Sequence, residues 1–221
     1  MTPVQVLISD KSEHFQQDVI DALEAGCKWL QPQITNTASR EKSIKALVEI
    51  KALCRKNEAM LIVEDDTELA QKAETDGVYI SNGNSEDAKE ARKFLGEGYI
   101  IGFAAKDCES IAAAKKAGAD YVCIGPFGSG NKAFSLEDLR EIATQTREKS
   151  LNLPIVVFGE ITTDDIAPLM QSGINGIALD AAKCNDKGIG ETVRHFLEIR
   201  QANRHNHCAG IPAFRVVGAF S

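Results

Sequence analysis

Short apolar runs alternate with longer stretches of helical period along almost the whole chain. Runs of strand type lie at 4–9 (VQVLIS), 28–34 (KWLQPQI), 59–64 (AMLIVE), 77–81 (GVYIS), 98–103 (GYIIGF), 120–125 (DYVCIG), 154–159 (PIVVFG) and 176–180 (GIALD). Between and after them, residues 12–25, 39–57, 66–75, 85–95, 107–117, 135–149, 162–172 and 187–203 carry amphipathic helical patterns. Several of these open on residues suited to capping free backbone N–H groups: Asp107, Ser135 with Asp138 three residues on, and Thr162 or Thr163. Strand, long crossover and strand in repetition dictate a parallel sheet, because parallel neighbours cannot be joined by a tight turn.

A weak internal repeat selects among parallel sheets. The passage from helix end to strand recurs as EAGCKWLQ, ETDGVYIS, KAGADYVCIG and QSGINGIALD, on the second, fourth, sixth and eighth strands. Gly26, Gly118 and Gly173 are expected to supply the left-handed residue that ends a helix there. Pairs of βα units repeated around a ring predict an α/β fold of the (β/α)₈ TIM-barrel type, in one domain over residues 1–203. An open doubly wound sheet would usually begin with a Gly-rich dinucleotide turn, and the first turn here is SDKSEHF. Residues 204–221 lack clear period and read as a tail, disordered or docked on the barrel or a partner.

Length and charge narrow the function. A chain of 221 residues with 43% hydrophobic residues supports one substantial core. A net charge of −7 with no basic cluster argues against nucleic acid as a partner, while small anions stay open where basic groups converge. No apolar run approaches the roughly 18 residues of a membrane span, and the start lacks a signal-peptide pattern, so a cytoplasmic protein is expected. The six cysteines have no C-x-x-C spacing and read as reduced structural thiols. His205, His207 and Cys208 resemble half of a metal site without a second half, and a mobile tail is the favoured reading.

In such barrels chemistry sits where strands end, so the residues closing each run are informative. The sixth loop, GPFGSGNK, has three glycines that free the backbone to turn N–H groups toward an anion, with Lys132 adding charge; a flexible loop with a solvated lysine is the plainer alternative. It is not a Walker loop, because Asn131 separates Gly130 from Lys132 and Ala133 follows. Gly159 and the stretch after the eighth strand form a second candidate anion site, opposed by the nearby carboxylates of Glu160 and Asp180. Asp65, flanked by Glu64 and Asp66, is either a ligand for a hard cation such as Mg²⁺ or part of an acidic helix start.

Taken in order, LQPQIT, LIVEDDTELA, DGVYISNGNSEDA, IIGFAAKD, AGADYVCIGPFGSGNK, PIVVFGEIT and SGINGIALDAA make residues 5–200 resemble thiamine phosphate synthases and their TenI-type relatives. The resemblance implies an enzyme that joins a pyrimidine diphosphate to a thiazole phosphate, releasing pyrophosphate with help from Mg²⁺. It makes Lys132 and Asp65 the catalytic candidates, with Asp65 and Asn84 as Mg²⁺ ligands. Gln31, Gln33, Glu64, Ser129, Asn131, Gly159, Glu160, Asp180 and Ala181 become candidates for binding the phosphorylated substrates. It also implies a homo-oligomer.

The departures fall on the groups that would hold the diphosphate. Gln33 and Thr35 stand where the family usually has Arg and Lys, Glu64-Asp65-Asp66 replaces Asn-Asp-Arg, Asn84 replaces an aspartate, and Ala104 and Ala181 replace serines. A catalytically silent barrel binding a thiamine-related ligand or a protein partner is therefore the alternative reading. The thiazole tautomerase activity of the TenI branch ranks last, since its histidine position carries Ala105-Lys106, although Lys106 or Glu160 is chemically able to move protons.

Overall fold

A computed structural model describes residues 4–34, 39–128, 130–184 and 188–204. Eight strands close into one parallel barrel in the order of the chain. They are β1 Val4–Ser9, β2 Trp29–Gln33, β3 Met60–Glu64, β4 Gly77–Ile80, β5 Ile100–Ala104, β6 Tyr121–Phe127, β7 Ile155–Gly159 and β8 Gly176–Asp180. The helices outside are α1 Phe15–Glu24, α2 Arg40–Lys56, α3 Thr67–Lys72, α4 Ser85–Leu95, α5 Cys108–Ala117, α6 Leu136–Glu148, α7 Ile166–Ser172 and α8 Gly188–Arg204. Short 3₁₀ turns, Thr163–Asp165 and Ala181–Lys183, precede α7 and follow β8.

The strands are apolar on both faces because both faces are covered. Outward residues such as Val6, Leu61, Val78, Ile101, Val122 and Leu179 pack beneath the helices. Inward residues Trp29, Ile62, Tyr79, Tyr121, Cys123, Val156 and Ala178 form a separate cluster inside the barrel. There Trp29 and Tyr121 meet with ring centroids 4.6 Å apart. Gly102 makes room for this plug, since a Cβ there would lie 2.3 Å from the Tyr121 ring. Large against small fills the lower barrel, and a cavity opens above it, toward the ends where the strands stop.

Two of the expected caps form, whereas Thr162 precedes a 3₁₀ turn and α7 itself starts after Asp165 without a side-chain cap. Asp107 accepts from Ser110 N at 2.7 Å to start α5, and Ser135 pairs reciprocally with Asp138 at the start of α6. Gly26, Gly118 and Gly173 take φ of 99°, 87° and 95° where their helices end. The main difference from the sequence reading lies in β6, which continues past Gly125 to Phe127. Its pairing with β7 shifts by one residue between Ile124 and Phe127, a bulge that carries the strand on beside the rim.

Candidate active site

A cavity of about 540 Å³ opens at the rim where the strands end. Its apolar wall comes from Leu7, Tyr79, Ala104, Cys123, Phe158 and Ala178. Burial pushes the pKa of the Tyr79 hydroxyl and of the Cys123 thiol upward, so both line the cavity as neutral groups. Its polar side is a relay across three strands. Gln5 Nε2 donates to Gln31 Oε1 at 2.6 Å, and Gln31 Nε2 and Gln33 Nε2 both donate to Glu64 Oε2, at 3.4 Å and 3.3 Å. Gln5 and Gln31 are each only 1% exposed. A carboxylate only accepts, and this fixes the direction of every donor behind it. Ser81, Asn82 and Lys106 stand at the mouth.

The three acids of the third loop have separate duties. Glu64 faces the cavity. Asp65 turns out of the strand at φ 51°, where Ser81 donates to its carboxylate from both the backbone N–H, at 2.7 Å, and the hydroxyl. Asp66 caps α3 through Leu69 N and forms a two-pronged pair with Arg40 at 2.8 and 3.0 Å. Asn84 is committed to starting α4, accepting from Glu86 N at 3.1 Å and donating to Asp87 at 3.0 Å. Asp65 is thus the third-loop carboxylate left exposed at the rim without a cationic partner among the described residues.

The sixth loop folds onto itself. Phe134 N donates to Pro126 O at 2.8 Å, Gly128 N to Phe134 O at 3.4 Å and Ala133 N to Gly130 O at 3.0 Å. Of the glycine amides that sequence reasoning aims at an anion, that of Gly128 is therefore spent within the loop. Lys132 and Asn131 line a shallower cleft of about 400 Å³ that also includes Lys106. Lys106 belongs to both surfaces and joins them.

A third cleft, of about 880 Å³, contains Gly159, Glu160 and Asp180 together with Lys183, Arg194 and His195. Here Glu160 N is taken by Phe127 O at 2.8 Å, and Asp180 accepts from Ala182 N at 3.0 Å. Gly159 is required by close approach: at φ 146°, a Cβ would lie 2.2 Å from Phe127 O. Ala181 follows Asp180 as the first residue of its 3₁₀ turn, packed against the outer core.

A family model described as thiamine monophosphate synthase matches residues 5–182. The chain belongs to this family. A thiamine-phosphate synthase of Bacteroides thetaiotaomicron is 34% identical over 199 residues, covering 87% of this chain and 94% of the relative. One from Bacteroides fragilis is 40% identical over 167 residues, covering 73% and 81%. Among solved structures, a thiamine phosphate pyrophosphorylase from Pyrococcus furiosus superposes with a TM-score of 0.75 at 26% identity, covering 91% of this chain and 97% of that one.

Within this thiamine monophosphate synthase fold, Gln31, Gln33 and Glu64 meet in the central cavity. Asp65 stands beside its mouth through Ser81. Lys132 and Asn131 share the sixth-loop cleft, and Gly159, Glu160 and Asp180 share the third. Ser129, Thr35 and the tail residues His205, His207 and Cys208 lie outside the described residues. Among the described residues no group of three His, Cys, Asp or Glu side chains converges on a metal position, no histidine lines the cavity, and no helix is long and apolar enough to cross a membrane. Sequence reasoning assigns no role to Gln5 or to Ser81, the latter standing only among the residues that close the fourth strand. Gln5 carried a usable signal: an inward polar residue in an otherwise apolar strand.

Proposed function

We propose that this chain is a thiamine phosphate synthase that couples an aminopyrimidine methyl diphosphate to a thiazole phosphate. The observation that carries the reading is the central cavity. Its volume lies within the range of small-molecule sites, and its apolar walls surround a small set of oriented polar groups. The bond between the pyrimidine methylene carbon and the diphosphate oxygen breaks, and its electron pair leaves on that oxygen. The lone pair of the thiazole nitrogen then forms the new carbon–nitrogen bond, giving thiamine phosphate and pyrophosphate.

The chain's own groups divide this work. Leu7, Tyr79 and Phe158 keep water from the electron-poor carbon. Lys106 meets the departing diphosphate at the mouth, and Lys132 extends positive charge along the adjoining cleft. Mg²⁺ bound through one carboxylate and substrate phosphates fits the donors present, with Asp65 as that carboxylate; its chemistry is to neutralise charge on the leaving group. Small phosphorylated substrates and a cytoplasmic setting belong to the same reading.

The test is incubation of the purified protein with both substrates and Mg²⁺. Thiamine phosphate above an enzyme-free control supports the reading, and none above it removes the reading. One observation favours a silent, ligand-binding barrel instead: Lys106 is the only cation lining the cavity among the described residues. Calorimetric binding of thiamine phosphate without turnover would select that alternative.

A further inference from the structure

The two oxygens of Glu64 are not equivalent. Oε2 is held by two amides, Gln31 at 3.4 Å and Gln33 at 3.3 Å. Oε1 takes no hydrogen bond among the described residues, although Glu64 lines the central cavity. No Lys, Arg or His pairs with this carboxylate among the ion pairs of the described residues. The buried Gln5 to Gln31 hydrogen bond keeps the relay aimed, because rotating Gln31 would set its oxygen against the carboxylate and its N–H₂ against Gln5 Nε2. The inner cavity thus presents one oriented, negative, unfilled acceptor.

Such an acceptor selects its ligand by charge. A phosphate brought to Glu64 would meet a like charge in a partly dry space, which is unfavourable. A planar ring carrying N–H donors suits it, and more so one that gains positive character during reaction. The Tyr79 and Phe158 rings in the same wall give a flat heterocycle surfaces to lie against. An aminopyrimidine has the right edge, an exocyclic amine beside a ring nitrogen that accepts a proton. The thiazole phosphate offers no N–H donor.

We infer that Glu64 is the anchor for the aminopyrimidine half of the substrate, taking its amine edge on Oε1 and directing the diphosphate outward to Lys106. This rests on the transferase reading above. It places negative charge beside the fragment that becomes cationic when the diphosphate leaves, so the same contact strengthens as the reaction proceeds. It also turns one of the departures from the family pattern, Glu64 for Asn, into a specificity device.

The test uses the full chain and a probe without phosphate, 4-amino-5-hydroxymethyl-2-methylpyrimidine, in calorimetry, with inorganic pyrophosphate as the second probe. Glu64→Gln keeps shape and removes charge. It is expected to weaken aminopyrimidine binding at least tenfold while leaving pyrophosphate binding equal or tighter. Lys106→Ala is expected to do the reverse. In the unsubstituted protein, adding the aminopyrimidine is expected to move the Glu64 side-chain carboxyl resonance, a readout that needs no variant to fold. Equal aminopyrimidine affinity in Glu64→Gln, no binding by the unsubstituted protein, or an unmoved resonance at saturation would overturn the anchor. Aminopyrimidine binding that depends on Glu64 in a protein that forms no thiamine phosphate would keep the anchor and remove the transferase reading.

Discussion

Ser81 grips both oxygens of Asp65, one through its backbone N–H at 2.7 Å and the other through its hydroxyl. The loop after β4 thereby orients the exposed acid that ends β3, and the left-handed turn at Asp65, φ 51°, brings it there. An acid that would hold Mg²⁺ with only one protein ligand depends on such support, and losing outer-shell partners of metal ligands typically costs about 10–100-fold. Ser81→Ala is expected to raise the Mg²⁺ concentration giving half-maximal activity about 10-fold with the fold intact. Asp65→Asn is expected to lower kcat/KM by about 100-fold or more, a loss of ~3 kcal/mol in transition-state stabilisation. Mg²⁺ titrations of initial rate check both.

Lys106 and Lys132 share one cleft, but only Lys106 also lines the central cavity. A charge-assisted hydrogen bond to phosphate contributes about 1.5–3 kcal/mol. Lys106→Ala is accordingly expected to weaken pyrophosphate binding by about 10–150-fold, with a smaller loss for Lys132→Ala. Calorimetry with pyrophosphate measures both, and the reverse order would move the diphosphate into the sixth-loop cleft.

The barrel is legible in the sequence because its cues are local. The Asp107 and Ser135 caps, the turn glycines Gly118 and Gly173 and the doubly buried strand runs each act within a few residues. The site is legible only as far as side chains follow strand alternation, which brings Gln31, Gln33 and Glu64 to one wall. What escapes is where polar atoms find partners across the fold. Glycine spacing in GPFGSGNK signals freedom to turn but not that Gly128 N goes to Phe134 O, and nothing near Asp65 announces Ser81, sixteen residues later. Lys106 reads as a residue of the fifth loop, and the parallel pairing of β4 with β5 brings that loop to the same mouth as Ser81.

Burial pushes the Cys27 and Cys54 thiols up to about 12 from an ordinary value of 9.0. The folded protein therefore keeps both protonated where the unfolded chain ionises. Their contribution to stability is whole below about pH 9 and is lost as pH rises from there toward 12. Urea midpoints are expected to be steady from these two thiols up to pH 8.5 and to fall above pH ~9. Thiol reagents at pH 8 are expected to leave Cys27 and Cys54 unmodified until the protein unfolds, with mass spectrometry locating the label.

The plug beneath the cavity gives a stability test independent of chemistry. Gly102→Ala puts a methyl 2.3 Å from the Tyr121 ring, which is fully buried and already packed on Trp29. Overpacking of this kind costs about 1–3 kcal/mol. The urea midpoint should fall accordingly, whereas an unchanged midpoint would mean the inner barrel has slack.

The central claim is that one cavity couples two phosphorylated halves. A single-turnover reaction with enzyme in excess over the pyrimidine diphosphate, saturating thiazole phosphate and Mg²⁺, tests it most directly, with both products quantified after acid quench. Thiamine phosphate and pyrophosphate are expected to appear together in a one-to-one ratio and to form more slowly in Asp65→Asn and Lys106→Ala. Intact substrate recovered after long incubation, with both halves shown to be bound, would contradict the account and leave a binding barrel in place of an enzyme.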